Sequence, residues 1–334
     1  MASTSSALPP PVKGWDTRES LADMPVDHAI LLDNWFPETD KITLRRGSSS
    51  HATGMTGPVE TLISYVPTSG TGQLFGAANG AIYNVTASGA VGSAVSSGHS
   101  NNRWQFVNMG TAGGQFVRLF NGTDTPLLYN GSSWATTAIT CSGMTAANLI
   151  WGNLHQRRLW VGEKNSLSAY YLGVNSVSGA ATEFPLGGIA SKGGFIQAMG
   201  TWTRDSGAGA DDVAVFVTSE GEAIVYSGTD PSSASSWSLV GVFQIGKPIG
   251  RRCLVKAGSD LILMTQDGFV PLSGILSIDR SQAGMVALSD QISKAVNDAV
   301  RSYGDIFGWQ PILYPKGGML VFNIMQSTET SHQY

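Results

Sequence analysis

Five dipeptides suited to tight turns recur along this chain, Asn79-Gly80, Asn121-Gly122, Lys164-Asn165, Glu220-Gly221 and Asp267-Gly268, at steps of 42, 43, 56 and 47 residues. Each lies between short apolar, β-branched or aromatic runs, and Gly and Asn adopt the positive φ of a two-residue hairpin at little cost. The interval matches the ~40–50 residues of a four-stranded propeller blade and lies outside the periods of helical solenoids. The fold class read from the chain is therefore all-β and β-propeller-like. Predicted strand pairs are 73–78 with 81–86, 116–120 with 126–129, 213–219 with 223–227 and 261–266 with 269–272. They give candidate blades at roughly 58–100, 101–146, 147–192, 193–248 and 249–287, the fourth lengthened by a Gly/Asp-rich loop from Thr203 to Asp212.

Residues 1–40 read as an N-terminal arm with short helical turns, and residues 41–334 as the propeller. The arm carries Pro9-Pro10-Pro11, which offers no donors to a sheet and favours an extended conformation. Asp16 and Glu19 have capping-box spacing, and Asp27 is placed to cap a turn over Ala29 to Leu32. Lys41 to Arg46 alternates as a half-buried strand. One helix is expected near 289–303, with Ser289 as its cap and Ile292, Ala295, Val296, Ala299, Val300 and Tyr303 on one face. Strand returns at Ile312 to Tyr314 and Met319 to Ile324. So few residues remain after Ile324 that either the strand at Lys41 to Arg45 closes the ring or the last blade is truncated at Tyr334.

Only 13% of residues are charged, about half the ordinary share, and 41 are glycine. Small neutral polar groups must cover the surface, which suits packing into an assembly. A net charge of −4 gives no basic field for tight nonspecific DNA or membrane-surface binding. Cys141 and Cys253 make no disulfide framework or metal-ligand spacing, which fits a reducing compartment. The chain shows no secretory leader and no apolar run long enough to span a membrane. The three N-x-[ST] sequons at Asn84, Asn121 and Asn130 read as turns.

No catalytic constellation is found, and the expectation is a protein that is not an enzyme and uses no cofactor or metal. His28, His51, His99, His155 and His332 are scattered; nucleophile-elbow, Walker A and dinucleotide motifs are absent. Asp205, Asp211 and Asp212 crowd one loop and read as a solvated turn. Three arginine pairs, Arg45-Arg46, Arg157-Arg158 and Arg251-Arg252, are each expected to open a strand. They are the candidate DNA- or subunit-facing residues, with wet strand ends at the rim as the plainer account. Trp104, Trp134, Trp151, Trp160, Trp202 and Trp237 read as inter-sheet core rather than a stacking platform.

Several motifs carry a resemblance. They are Pro10-Pro11-Val12-Lys13-Gly14-Trp15-Asp16-Thr17-Arg18, Leu21-Ala22-Asp23-Met24-Pro25, Ala29 through Pro37, Leu44-Arg45-Arg46-Gly47, Val59-Glu60-Thr61-Leu62, Leu74 through Tyr83, Asp267 through Ser273 and Leu288-Ser289-Asp290. Together they resemble the tail nozzle, or packaged-DNA-stabilising, proteins of short-tailed bacteriophages. The resemblance implies a virion protein of the phage tail, made in the host cytoplasm. It implies six copies ringing the DNA exit channel, between adaptor or portal-proximal proteins and distal tail proteins, with weak contacts to the passing duplex. A conduit that DNA must leave quickly should neutralise few phosphates, and low charge meets that demand. The alternative class is a propeller lectin or host-receptor-binding protein.

Overall fold

The computed structural model describes residues 8–205, 210–275 and 286–326. Their strands form a five-bladed β-propeller arrangement with a single long helical segment, Asp290 to Tyr303. Blade 1 is built from Val59–Tyr65, Gln73–Ala78, Ala81–Asn84 and Ser96–Ser97. Blade 2 comprises Gln105–Thr111, Gly114–Phe120, Leu127–Tyr129 and Trp134–Thr136. Blade 3 comprises Leu149–His155, Arg158–Glu163, Ser168–Leu172 and Gly179–Pro185, with Ile139–Thr140 added in parallel on its outer edge. Blade 4 comprises Ile196–Asp205, Ala210–Thr218, Glu222–Gly228 and Trp237–Gln244. Blade 5 has three strands, Leu254–Ala257, Asp260–Thr265 and Gly268–Pro271, and a hairpin of Gln310–Tyr314 with Met319–Asn323 follows the helix.

What holds the ring together is apolar packing between successive blades, because each sheet buries both faces. Ile63, Phe75, Trp104, Leu119 and Tyr129 fill the space between blades 1 and 2. Met109, Phe120, Leu149, Leu159 and Tyr170 fill the next. Between blades 3 and 4, Trp160 and Tyr226 stack on Trp237 at 5.7 Å each, and Trp151 donates Nε1 to the carbonyl of Ile196 at 3.0 Å. Gly162 is required there, since a Cβ would come within 2.0 Å of the Trp151 indole. Valines of blade 4 meet Leu261 and Leu263 of blade 5. The last cluster joins blade 5 to the helix and final hairpin, with Phe269 stacked on Phe322 at 3.8 Å and Val296 and Trp309 buried beneath. Of the six tryptophans expected as core, Trp104 and Trp160 are fully buried, Trp151, Trp202 and Trp237 nearly so, and Trp134 is half-buried against the cluster between blades 1 and 2.

Several local expectations change. Asn79-Gly80 closes a two-residue hairpin with φ of 48° and 72°, as its sequence predicts. Asn121-Gly122 does not. The blade 2 hairpin turns at Ala112-Gly113, and the buried Asn121 side chain instead accepts from the Thr123 and Asp124 amides at 3.1 and 2.8 Å, organising a longer connection. Thr203 to Asp212 is largely paired strand rather than loop, with Thr203 opposite Asp212 and its hydroxyl donating to that carboxylate at 2.6 Å. The turn itself lies outside the described residues. Ser289 makes no cap bond to the helix; its Oγ accepts the Phe269 amide at 3.1 Å, tying helix to blade 5.

The arm keeps one of its expected turns. Asp16 accepts the amides of Arg18 and Glu19, half of the expected box, and a single turn follows in which the Asp23 and Met24 amides both bond the Ser20 carbonyl before Pro25. Asp27 caps no helix, because the Ala29 amide bonds to Gly14 in a bridge between Trp15 and Ala29. Lys13 to Thr17 docks on the chain's own helical segment: Gln291 Nε2 donates to the carbonyls of Lys13 and Trp15, and the Thr17 amide to Gln291. Ile42–Leu44 pairs with Trp35–Pro37, so the strand at 41–45 is no partner of Met319–Asn323. Gln310–Tyr314, the first strand of the last hairpin, lies instead beside the first strand of blade 5.

Candidate functional site

Strands of a blade alternate in direction, so its successive turns lie on opposite faces of the ring. Asn79-Gly80, Asn121-Gly122 and Lys164 share one face, while Ala112-Gly113 and Gln156-Arg157 share the other. The six candidate arginines divide accordingly and do not form one surface. Arg45 and Arg46 follow the small N-terminal strand, with Arg45 Nε on Asn34 Oδ1 at 2.9 Å. Arg157 does not open a strand; it occupies the two-residue turn at φ 58° and bonds Asn175 Oδ1 at 3.2 Å. Arg158 does begin one, but it reaches Asp230 at 3.1 Å and stacks over Tyr171, joining blades 3 and 4. Only Arg251 and Arg252, in the turn before blade 5, stand at the mouth of the ring.

Arg252 reaches across that mouth. Its Nη2 donates to Thr61 Oγ1 at 2.6 Å and to the Trp104 carbonyl at 2.7 Å, and its Nη1 to Gln310 Oε1 at 3.1 Å and the Glu60 carbonyl at 3.3 Å. Three segments far apart in sequence, at Glu60-Thr61, Trp104 and Gln310, are thereby held by one guanidinium. Phe307 lies under both Arg252 and Arg103, each 5.0 Å from the ring centroid. Burial pushes the Arg252 pKa down to about 10, with Glu60 opposing, and leaves it charged at neutral pH. Below it is a central cavity of about 280 Å³, lined by Leu62, Phe106, Trp151, Met199, Leu254 and Gln310. Arg252 therefore staples the ring and covers its centre.

Beside the mouth runs a groove of about 410 Å³ between blades 1, 2 and 3. Its cations are Arg103, Lys164 and Arg251, and Glu60 is its carboxylate. Arg103 Nε meets Glu60 Oε1 at 3.0 Å. Lys164 Nζ donates to the Gly122 carbonyl at 2.8 Å and Arg251 Nη1 to the adjacent Asn121 carbonyl at 3.4 Å. Burial, and then the charge of Arg103, lower the Arg251 pKa. Sequence reasoning missed Arg103 and Lys164. One signal was available, because Asn79-Gly80, Asn121-Gly122 and Lys164 are successive members of the turn repeat and blade geometry brings them to one rim.

The opposite face holds a pocket of about 470 Å³, lined among others by Gln115, His155, Arg157, Thr201 and Asp212. His155 is almost fully buried, with Nδ1 3.2 Å from Thr201 Oγ1 and no partner for Nε2. Burial pushes its pKa down to about 4 against the pull of Asp212, so the imidazole is neutral at neutral pH. Among the described residues no three metal-ligating side chains cluster, and no helix is long and apolar enough to cross a membrane.

No protein-family model matches the chain, and no curated protein matches it. Two similar solved structures are crystals of BBS1N in complex with ARL6DN, one soaked with mercury and one with lead. Their TM-scores are 0.41 and 0.40, at 14% identity in each. The matches cover 62% and 67% of this chain, and the chain spans 62% and 64% of those structures.

Proposed function

We propose that this chain is a structural virion protein of a bacteriophage tail. In this reading several copies form a nozzle ring around the DNA exit channel, below the portal and adaptor, retaining packaged DNA and guiding its ejection. The observation that carries it is the apolar surface of the N-terminal segment. Val26, Ile30, Leu31, Trp35, Phe36 and Leu44 all stand exposed, Ile30 and Leu31 at 62% and 66%. Trp35, Phe36 and Leu44 belong to a two-stranded sheet that is too small to be stable alone, and Val26, Ile30 and Leu31 lie in the segment before it. Contiguous exposed apolar residues on a chain with 13% charged residues favour burial against another protein.

The occupant is a further copy of the same chain, and the phage resemblance gives the number six. DNA would pass through the ring of subunits rather than through any one propeller, whose centre Arg252 covers. The arginines candidate for DNA contact do not line one surface, which suits a conduit that holds DNA weakly. The protein acts by position, with no catalytic step.

Native mass spectrometry and electron microscopy of the purified chain, or of the particle that contains it, test the reading. Six copies around the axis are expected. A monomer, a ring of another order or a lone copy per particle overturns the nozzle assignment, and glycan binding by a monomer supports the lectin alternative instead.

A further inference from the structure

The groove between blades 1, 2 and 3 holds more positive charge than its own carboxylate neutralises. Of Arg103, Lys164 and Arg251, only Arg103 meets an acid, Glu60. The other two rest on neighbouring carbonyls of one turn, Gly122 and Asn121, and these contacts leave donors on both groups unspent.

We propose that this groove binds a phosphate group. The cations come from three different blades, so their donors converge from separate directions. That arrangement fits a tetrahedral oxyanion with three or four acceptor oxygens better than a planar carboxylate with two. Lysine supplies a point charge and the arginines directional donors, the usual division at phosphate sites. The groove, at about 410 Å³, exceeds what the oxyanion alone needs, leaving room for the group that carries it. An anion seated there would also relieve the repulsion from Arg103 that, after burial, lowers the Arg251 pKa. The site is independent of the ring proposed above, since it lies within one subunit.

The experiment uses the full chain and inorganic phosphate, with binding followed by calorimetry and by the shift in melting temperature. Phosphate should bind, and Arg251→Gln and Lys164→Gln should each weaken it about tenfold, the loss expected for one charge-assisted contact. Arg251→Lys should retain part of the affinity, and Arg157→Gln, on the opposite face, should retain all of it. Near-ultraviolet circular dichroism verifies that each variant is folded, and if Arg251→Gln is not, Lys164→Gln decides alone. A short duplex DNA that displaces phosphate from the wild type identifies a nucleic-acid backbone as the source. Phosphate binding that DNA leaves untouched identifies a free or small-molecule phosphate. Both support the site. No binding by the wild-type chain, or affinity unchanged in the folded variants, overturns it. Native mass spectra of the same variants keep the two readings apart: a ring that persists while phosphate binding is lost speaks against neither, and phosphate binding without a ring speaks only against the nozzle.

Discussion

Blade 4 and the N-terminal segment use similar apolar residues to opposite ends. In Ala210–Thr218 the stretch from Val213 to Val217 is buried without interruption, because blades 3 and 5 cover the two sheet faces. In Trp35–Pro37 every residue is exposed, because the strand has one neighbour, Ile42–Leu44, and no sheet above or below. The segment stays attached through backbone and amide hydrogen bonds to Gln291 rather than through a core. β-Propensity alone does not tell these strands apart; what differs is the number of covered faces. One region takes its stability from within the subunit, and the other leaves its apolar side chains exposed.

The largest effect that would break this contrast is in the ring. Trp160→Ala should cost the isolated subunit about 3–5 kcal/mol, as large aromatic truncations in packed cores do, measured by denaturant unfolding. A loss under about 1 kcal/mol would mean the stacked aromatics between blades 3 and 4 are not the core.

Acid should strike the ring next. His155 has its pKa lowered from 6.5 to about 4 by burial, so the folded state binds fewer protons than the unfolded chain between those values. Its contribution is present above pH 6.5 and is lost as the pH falls toward 4, about 3 kcal/mol in all. His99, also lowered by burial, adds in the same direction. Melting temperature followed from pH 7 to pH 4 should fall less steeply in His155→Gln than in the wild type; parallel curves would place His155 in water.

Arg252 and Arg118 sharpen the comparison within the ring. Arg252→Met removes four acceptors' donors at the mouth and should cost about 2 kcal/mol. Arg118 is fully buried, whereas Arg252 is only partly so, yet Arg118 has one bond, Nη2 to the Thr137 carbonyl at 2.7 Å, with Nε and Nη1 unpartnered. Arg118→Met should therefore be neutral or stabilising by about 1 kcal/mol. Equal losses at both positions would show that Arg118 has partners as good as those of Arg252.

The smallest effect belongs to the N-terminal segment. Trp35→Ser with Phe36→Ser should change subunit stability by no more than about 0.5 kcal/mol while weakening self-association. Sedimentation at matched concentrations reads the second quantity. Unchanged association would remove the observation on which the ring proposal rests.

Much of the propeller was legible in the sequence because its repeat is written in local chemistry. A positive φ is a property of the residue that adopts it, so Asn79-Gly80 announces its hairpin, while Asn121-Gly122 announces a turn of another kind, with Gly122 at φ 79° and the Asn121 side chain holding a longer connection. Periodic apolar positions likewise mark Ile292, Val296, Ala299 and Val300 as one helix face. Gln156-Arg157 was illegible for the converse reason: it takes φ of 49° and 58° with neither Gly nor Asn, held there by the pairing of His155 with Arg158. Ser289 kept its place at the helix start but gave its hydroxyl to Phe269, a partner that packing alone supplies.

The sequence by itself determined the repeat, the strand-rich class and the single helix, since each follows from residues adjacent or a few positions apart. Only the tertiary structure decided which charges meet. Arg103, Lys164 and Arg251 come from three separate stretches, and Arg252 finds Thr61, Trp104 and Gln310 across the mouth. Those meetings depend on how many blades close the ring and in what order, because closure sets which turn faces which. Local propensity carries no record of it.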